Sequence, residues 1–243
     1  MTNCIMYKGH GAVVIGSETS GGIRNITASN IVSKGTDTGV RIKSQRGRGG
    51  VLENFRFDNW VIEDAQKVAL EITMRYGRTA EAPLSERTPR FQNFSFSNLT
   101  IVNARTVATV EGLPELAIRQ LRFTDITASG RNGFLADHAN DVELHQVRVS
   151  VENGSAFSFD QSTNVVLDAA DPETRSKSHP AIALSHSKHV TLSASRGGSQ
   201  AASFLKVSGP DSSAIRLTGN DLSAAQKDID TAPDVPATAV IRP

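Results

Sequence analysis

The chain has 243 residues, 38% of them hydrophobic, with 26 Lys and Arg against 25 Asp and Glu. That length supports one domain with a continuous core, and a formal net charge of +1 offers no strong field for nucleic acid or an anionic membrane surface. One cysteine, Cys4, excludes an intrachain disulfide, and no apolar run reaches the roughly 18 residues of a spanning helix.

In chain order, Met1 to Lys8 lacks the apolar stretch of a signal peptide. Gly9-His10-Gly11 follows, then Ile15-Gly16-Ser17-Glu18-Thr19-Ser20-Gly21-Gly22. A short repeat then begins: Ile23-Arg24-Asn25-Ile26, Leu52-Glu53-Asn54-Phe55, Phe91-Gln92-Asn93-Phe94 and Ile118-Arg119-Gln120-Leu121. Weaker copies place further apolar residues at Val142, Val165, Val190 and Ile215. The spacing, roughly 20–40 residues, is that of a solenoid. Each copy opens an alternation such as Phe55-Arg56-Phe57 or Val142-Glu143-Leu144, whose period of two predicts a strand with one face inward. The expected class is all-β: a parallel β-solenoid over residues 1–223, with 224–243 as a tail or loose cap. Asn30, Asn59, Asn98 and Asp125 lie four residues after an opening apolar position, where polar side chains that tolerate a left-handed backbone can stack into a ladder. The stretch from Gly77 to Pro89 is polar and proline-bearing, and is expected to be a surface loop.

Three clusters carry candidate chemistry. Gly9-His10-Gly11 offers an imidazole between two glycines that permit close approach. In Gly39-Val40-Arg41-Ile42-Lys43, inward Val40 and Ile42 leave Arg41 and Lys43 side by side on the outer face. Two adjacent cations suit an anion such as a uronic acid, although solvated charges on an exposed strand read the same way. Leu70-Glu71-Ile72-Thr73-Met74-Arg75-Tyr76 sends Glu71 outward, where an ion pair with those cations is the plain expectation, and ends in Tyr76, which suits either stacking on a sugar or sealing a loop. The remaining histidines show no metal-ligand spacing, so no metal or cofactor is expected.

Gly-His-Gly, Ile-Gly-Ser, Arg-Ile-Lys and Tyr, in this order within a β-solenoid, resemble the polygalacturonase family, glycoside hydrolase family 28, and the Gly16-to-Gly22 form resembles its bacterial members. The motifs span Asn3 to Tyr76, and the repeat alone carries the resemblance to about Leu222. It implies a right-handed single-stranded parallel β-helix of the pectin-lyase-like kind, secreted or periplasmic, hydrolysing α-linked galacturonic acid in pectin with inversion. It implies that His10 is catalytic, beside the acid and base, and that Arg41, Lys43 and Tyr76 bind substrate. The implied partner is an acidic polysaccharide or oligogalacturonate, with no nucleic acid, membrane, metal or cofactor. The family's Asn-Thr-Asp motif and Asp-Asp pair precede Gly-His-Gly, yet no Asp or Glu precedes His10 here. The expectation is therefore an N-terminally truncated chain whose missing portion could lie on another chain. The alternatives are an oligogalacturonate-binding β-helix without turnover, and a structural remnant without a ligand.

Overall fold

A computed structural model of the chain describes residues 1–77 and 79–242; Arg78, within the expected loop, and Pro243, at the end of the expected tail, lie outside the described residues. The chain winds into a right-handed parallel β-helix in which every ladder between named strands is parallel. The eight apolar positions that open the sequence repeats fall into one continuous column, Ile26, Phe55, Phe94, Leu121, Val142, Val165, Val190 and Ile215, and Val240 extends it. The repeat was visible because each turn must present the same inward side chain at the same height.

Three faces surround the core. Face one carries Ile26–Ser29 and the segments stacked on it, and face two carries Cys4–Tyr7, Ile31–Lys34 and Trp60–Glu63. Face three carries Val13–Ile15, Thr38–Lys43, Val68–Thr73 and their successors. Inside face one, aromatic rings stack: Phe55 on Phe94 at 4.7 Å, and Phe57, Phe96 and Phe123 in series at 5.0 Å per step. Trp60 is fully buried, and its indole N–H donates to Ser33 Oγ at 3.2 Å, which satisfies the only polar atom of its ring.

The corners explain the asparagines. Asn25, Asn54 and Asn93, just before the opening apolar residues, and Asn30, Asn59 and Asn98, four residues after them, all have positive φ. Asn tolerates that conformation and can donate to the next coil. Asn59 Nδ2 donates to Asn30 Oδ1 at 2.8 Å, and Asn30 to Asn3 at 3.0 Å. A parallel ladder runs at the other corner, from Asn93 to Asn54 at 2.7 Å and from Asn54 to Asn25 at 3.1 Å. Asn98 departs from the pattern and donates to Asp58 instead.

The segment after residue 223 adds two short strands: Ile229–Thr231 pairs with Leu205–Val207, and Val240–Ile241 pairs with Ile215–Arg216. Between Tyr76 and Arg90 no described residue belongs to a strand, in keeping with the expected loop.

Candidate functional site

Face three positions the candidate residues. Val40 and Ile42 are fully buried, so alternation turns Arg41 and Lys43 outward. The coil beneath passes close to the Lys43 backbone. Gly16 has φ of +89°, and a Cβ there would lie 2.0 Å from the Lys43 carbonyl oxygen, so the Ile-Gly-Ser motif needs glycine for both conformation and space. Three residues after Gly16, buried Thr19 bonds Ser44 Oγ at 2.6 Å and donates to the Gly49 carbonyl at 3.0 Å, fixing the loop that follows Lys43.

The next coil supplies Glu71 and Tyr76. Glu71 pairs with Arg41 in register, and its carboxylate grips the guanidinium at 2.7 Å (Nε) and 3.3 Å (Nη2). Tyr76 does not end the strand, as the sequence suggested. The strand stops at Thr73, and Tyr76 sits in the following turn, where its N–H donates to the Ser44 carbonyl at 3.1 Å. That displacement carries the ring over both cations: Lys43 Nζ lies 4.3 Å and Arg41 Cζ 5.4 Å from its centroid. Arg41, Lys43 and the half-exposed Tyr76 thus form one cluster. Arg41 is committed to Glu71, whereas Lys43 makes no ion pair among the described residues.

His10 stands apart from this cluster. It lies in the turn one coil below, four residues before Val14, the residue paired beneath Arg41. Its side chain is 94% exposed, and Nδ1 lies 3.0 Å from Asp37 Oδ2. Lys67 also reaches Asp37, at 2.8 Å, and the hydrogen bonds from His10 and then Lys67 hold that carboxyl below the ordinary aspartate range. Gly11 is constrained by the protein itself: a Cβ would meet Val14 Cγ2 at 2.4 Å and Thr38 Oγ1 at 2.7 Å.

The sequence places Arg46 in a basic, glycine-rich loop and Arg75 in the third cluster, but not the partners they find. Arg46 and Glu115 join two loops beside face three, with Nη2 2.7 Å from Oε2 and Nη1 donating to the Thr79 carbonyl at 3.2 Å. Their side chains are 11% and 14% exposed, and the Arg46 hydrogen bond lowers the Glu115 pKa. Farther along the helix, Arg75 donates to Asp137, and its Nη2 lies 3.1 Å from His138 Nδ1, which Asp137 also contacts. Glu111, Asp137 and Asp160 occupy successive rungs of the outward column that begins at Lys43. They border a groove of about 390 Å³ whose floor includes Leu135 and Ala183. Counting forward from the repeat cannot find this column, because loops of unequal length separate face three from face one. Among the described residues no group of three His, Cys, Asp or Glu side chains is placed to hold a metal ion.

The sequence profile of Glycosyl hydrolases family 28 matches residues 1–130, more than half of the chain and all of the cationic cluster. The chain belongs to this family. It is 28% identical over 176 residues to an exo-poly-alpha-D-galacturonosidase of Dickeya chrysanthemi, covering 68% of this chain and 29% of that protein. A probable polygalacturonase of Vitis vinifera is 28% identical over 116 residues, 47% of this chain and 23% of that one. An endo-polygalacturonase of Pectobacterium carotovorum subsp. carotovorum is 32% identical over 92 residues, 38% and 21% respectively. The family 28 chain therefore spans less than a third of the length of each of these relatives. Among solved structures, the A-module of a mannuronan C-5 epimerase from Azotobacter vinelandii superposes with a TM-score of 0.65 at 12% identity, covering 90% of this chain and 65% of that one. At that identity the likeness shows the β-helix fold alone.

Proposed function

We propose that this family 28 chain provides the substrate-holding part of a polygalacturonase-type glycoside hydrolase acting on α-linked galacturonic acid. The observation that carries the reading is the convergence of Lys43 and Arg41 on the Tyr76 ring within the segment that matches the family. A galacturonate residue has an anionic edge and an apolar ring face. Lys43 supplies an ammonium with no ion-pair partner among the described residues, Arg41 adds its remaining guanidinium donors, and Tyr76 offers an aromatic surface to the pyranose. His10 is the family-implied catalytic group; with its imidazole exposed and beside Asp37, it can exchange a proton with solvent or with a neighbouring carboxyl. A substrate of this kind belongs outside the cell, in the plant cell wall.

Inversion requires a carboxylic acid that protonates the leaving oxygen and a carboxylate that activates water, roughly 6.5–9.5 Å apart. The carboxylates nearest the motifs are already engaged: Glu71 by Arg41, Asp37 by His10 and Lys67, and Glu18 by Ser20 at 2.9 Å and Arg48 at 3.7 Å. Asp37, held below the ordinary aspartate range by His10 and Lys67, is a poor proton donor. This favours a second reading, a β-helix that binds oligogalacturonate without turnover.

Isothermal titration with oligogalacturonates, with reducing sugar assayed in the same samples, separates the readings. Sugar release supports the hydrolase reading and means that a carboxylate of this chain does the chemistry, whereas binding without sugar release supports the second. Absence of binding, together with a melting temperature indifferent to the ligand, would reject both.

A further inference from the structure

A cavity of about 560 Å³ lies on face one, on a different face from the cationic cluster. Ser95 forms its floor, with Arg56 one rung before it and Arg122 one rung after it in the same outward column. Sheet spacing puts the two arginine backbones roughly 9–10 Å apart. One carboxylate with an N–H···O contact of about 2.8 Å on each flank can bridge that span, since Ser95 leaves the space between the arginines open.

Arg56 is held in place by neutral oxygens. Its Nη1 donates to the Phe55 and Asn93 carbonyls at 2.9 and 3.0 Å, and Nη2 donates to Asn93 Oδ1 at 3.1 Å. Among the described residues it makes no ion pair, so its charge is fixed in position and uncompensated. The acidic groups of the cavity lie on its far side and are occupied: Glu143 takes Arg122 Nη2 at 2.8 Å and His145 Nε2 at 3.3 Å, and Asp141 accepts from Asn164 at 2.9 Å. Arg122 uses Nη2 in that pair and retains its other donors.

We propose that this cleft is a second, non-catalytic uronate site. The carboxylate of a galacturonate residue seats over Ser95 between Arg56 and Arg122, and the sugar hydroxyls meet Gln120 and Asp141. The proposal rests on the reading that the chain takes acidic saccharides, but it uses a separate face and separate residues. Such a site would hold a second stretch of polymer against the helix and raise the local concentration of chain at face three.

The test is titration of the whole chain with trigalacturonate, comparing wild type with Ser95→Glu, Arg122→Gln and Lys43→Ala. Ser95→Glu fills the gap with an internal carboxylate at an outward strand position. Arg122→Gln removes one clamp whose side chain is 61% exposed and therefore little involved in folding. The expected result is two binding events in wild type, with one of them weakened at least roughly ten-fold by either face-one variant and the other weakened by Lys43→Ala. A single event insensitive to Ser95→Glu and Arg122→Gln overturns the second site and leaves the face-three reading standing. A single event lost in those variants but untouched by Lys43→Ala supports the second site and sinks the face-three reading. No binding in wild type overturns both.

Discussion

Replacing Lys43 by alanine should weaken oligogalacturonate binding far more than it weakens the fold, whereas Arg41→Ala should weaken both. Lys43 has no carboxylate partner among the described residues, and its visible interaction is with the Tyr76 ring at 4.3 Å. A partly exposed cation–π contact is worth about 0.5–1 kcal/mol. For a chain of this size that lowers Tm by roughly 1–4 °C. If the ammonium makes a charge-assisted hydrogen bond to a uronate, its loss costs about 1.5–3 kcal/mol of binding, a factor of about 10–150 in Kd. Arg41 differs because Glu71, whose side chain is 17% exposed, depends on it. Without the guanidinium, Glu71 is left as a largely covered carboxylate without its Arg41 partner, which should cost about 1–3 kcal/mol of stability and roughly 2–12 °C in Tm. Calorimetric titration gives the affinities and differential scanning calorimetry the melting points. Unchanged affinity in Lys43→Ala, or equal loss of Tm in the two variants, would refute this division of labour.

Glu115→Gln should lower stability by about 1–3 kcal/mol, because it removes one side of a two-point pair between nearly covered side chains; chemical denaturation checks the value. The same pair has a defined pH dependence. The Arg46 hydrogen bond depresses the folded-state pKa of Glu115, so its contribution is fully present above the ordinary glutamate value of about 4.3 and is lost as pH falls through the lowered value. Acid titration of Tm should therefore fall less steeply for Glu115→Gln than for wild type. Asn59→Ala should cost more than Asn59→Gly in a thermal melt. Glycine retains the φ of +49° and loses only the bond to Asn30, whereas alanine adds about 1–2 kcal/mol of left-handed strain. Phe96→Ala opens a gap between Phe57 and Phe123 and should destabilise by about 3–5 kcal/mol in urea denaturation; a loss below 1 kcal/mol would mean the stack collapses to fill it.

The coil register was legible in the sequence. The apolar positions from Ile26 to Ile215 recur because each coil repeats the same local events: a residue able to turn left-handed, then alternation of inward and outward side chains. Asn30 and Asn59 announced a corner for the same reason, and inward Val40 and Ile42 fixed the outward direction of Arg41 and Lys43. The family motifs were equally readable, since Gly16 and its neighbours are contiguous in the chain.

Only the tertiary structure decided which charges meet. Arg41 finds Glu71 30 residues away, and Arg46 finds Glu115 69 residues away, across loops whose lengths follow no period. Tyr76 reaches Lys43 because its strand stops at Thr73 and the chain turns back, whereas continued alternation would have carried it past the cluster. The arginines flanking Ser95 lie on three different coils with it, and their opposition is a property of stacking height. Local alternation fixes which way a side chain points; the side chain that stands over it depends on how much chain each turn consumes before returning to the same face.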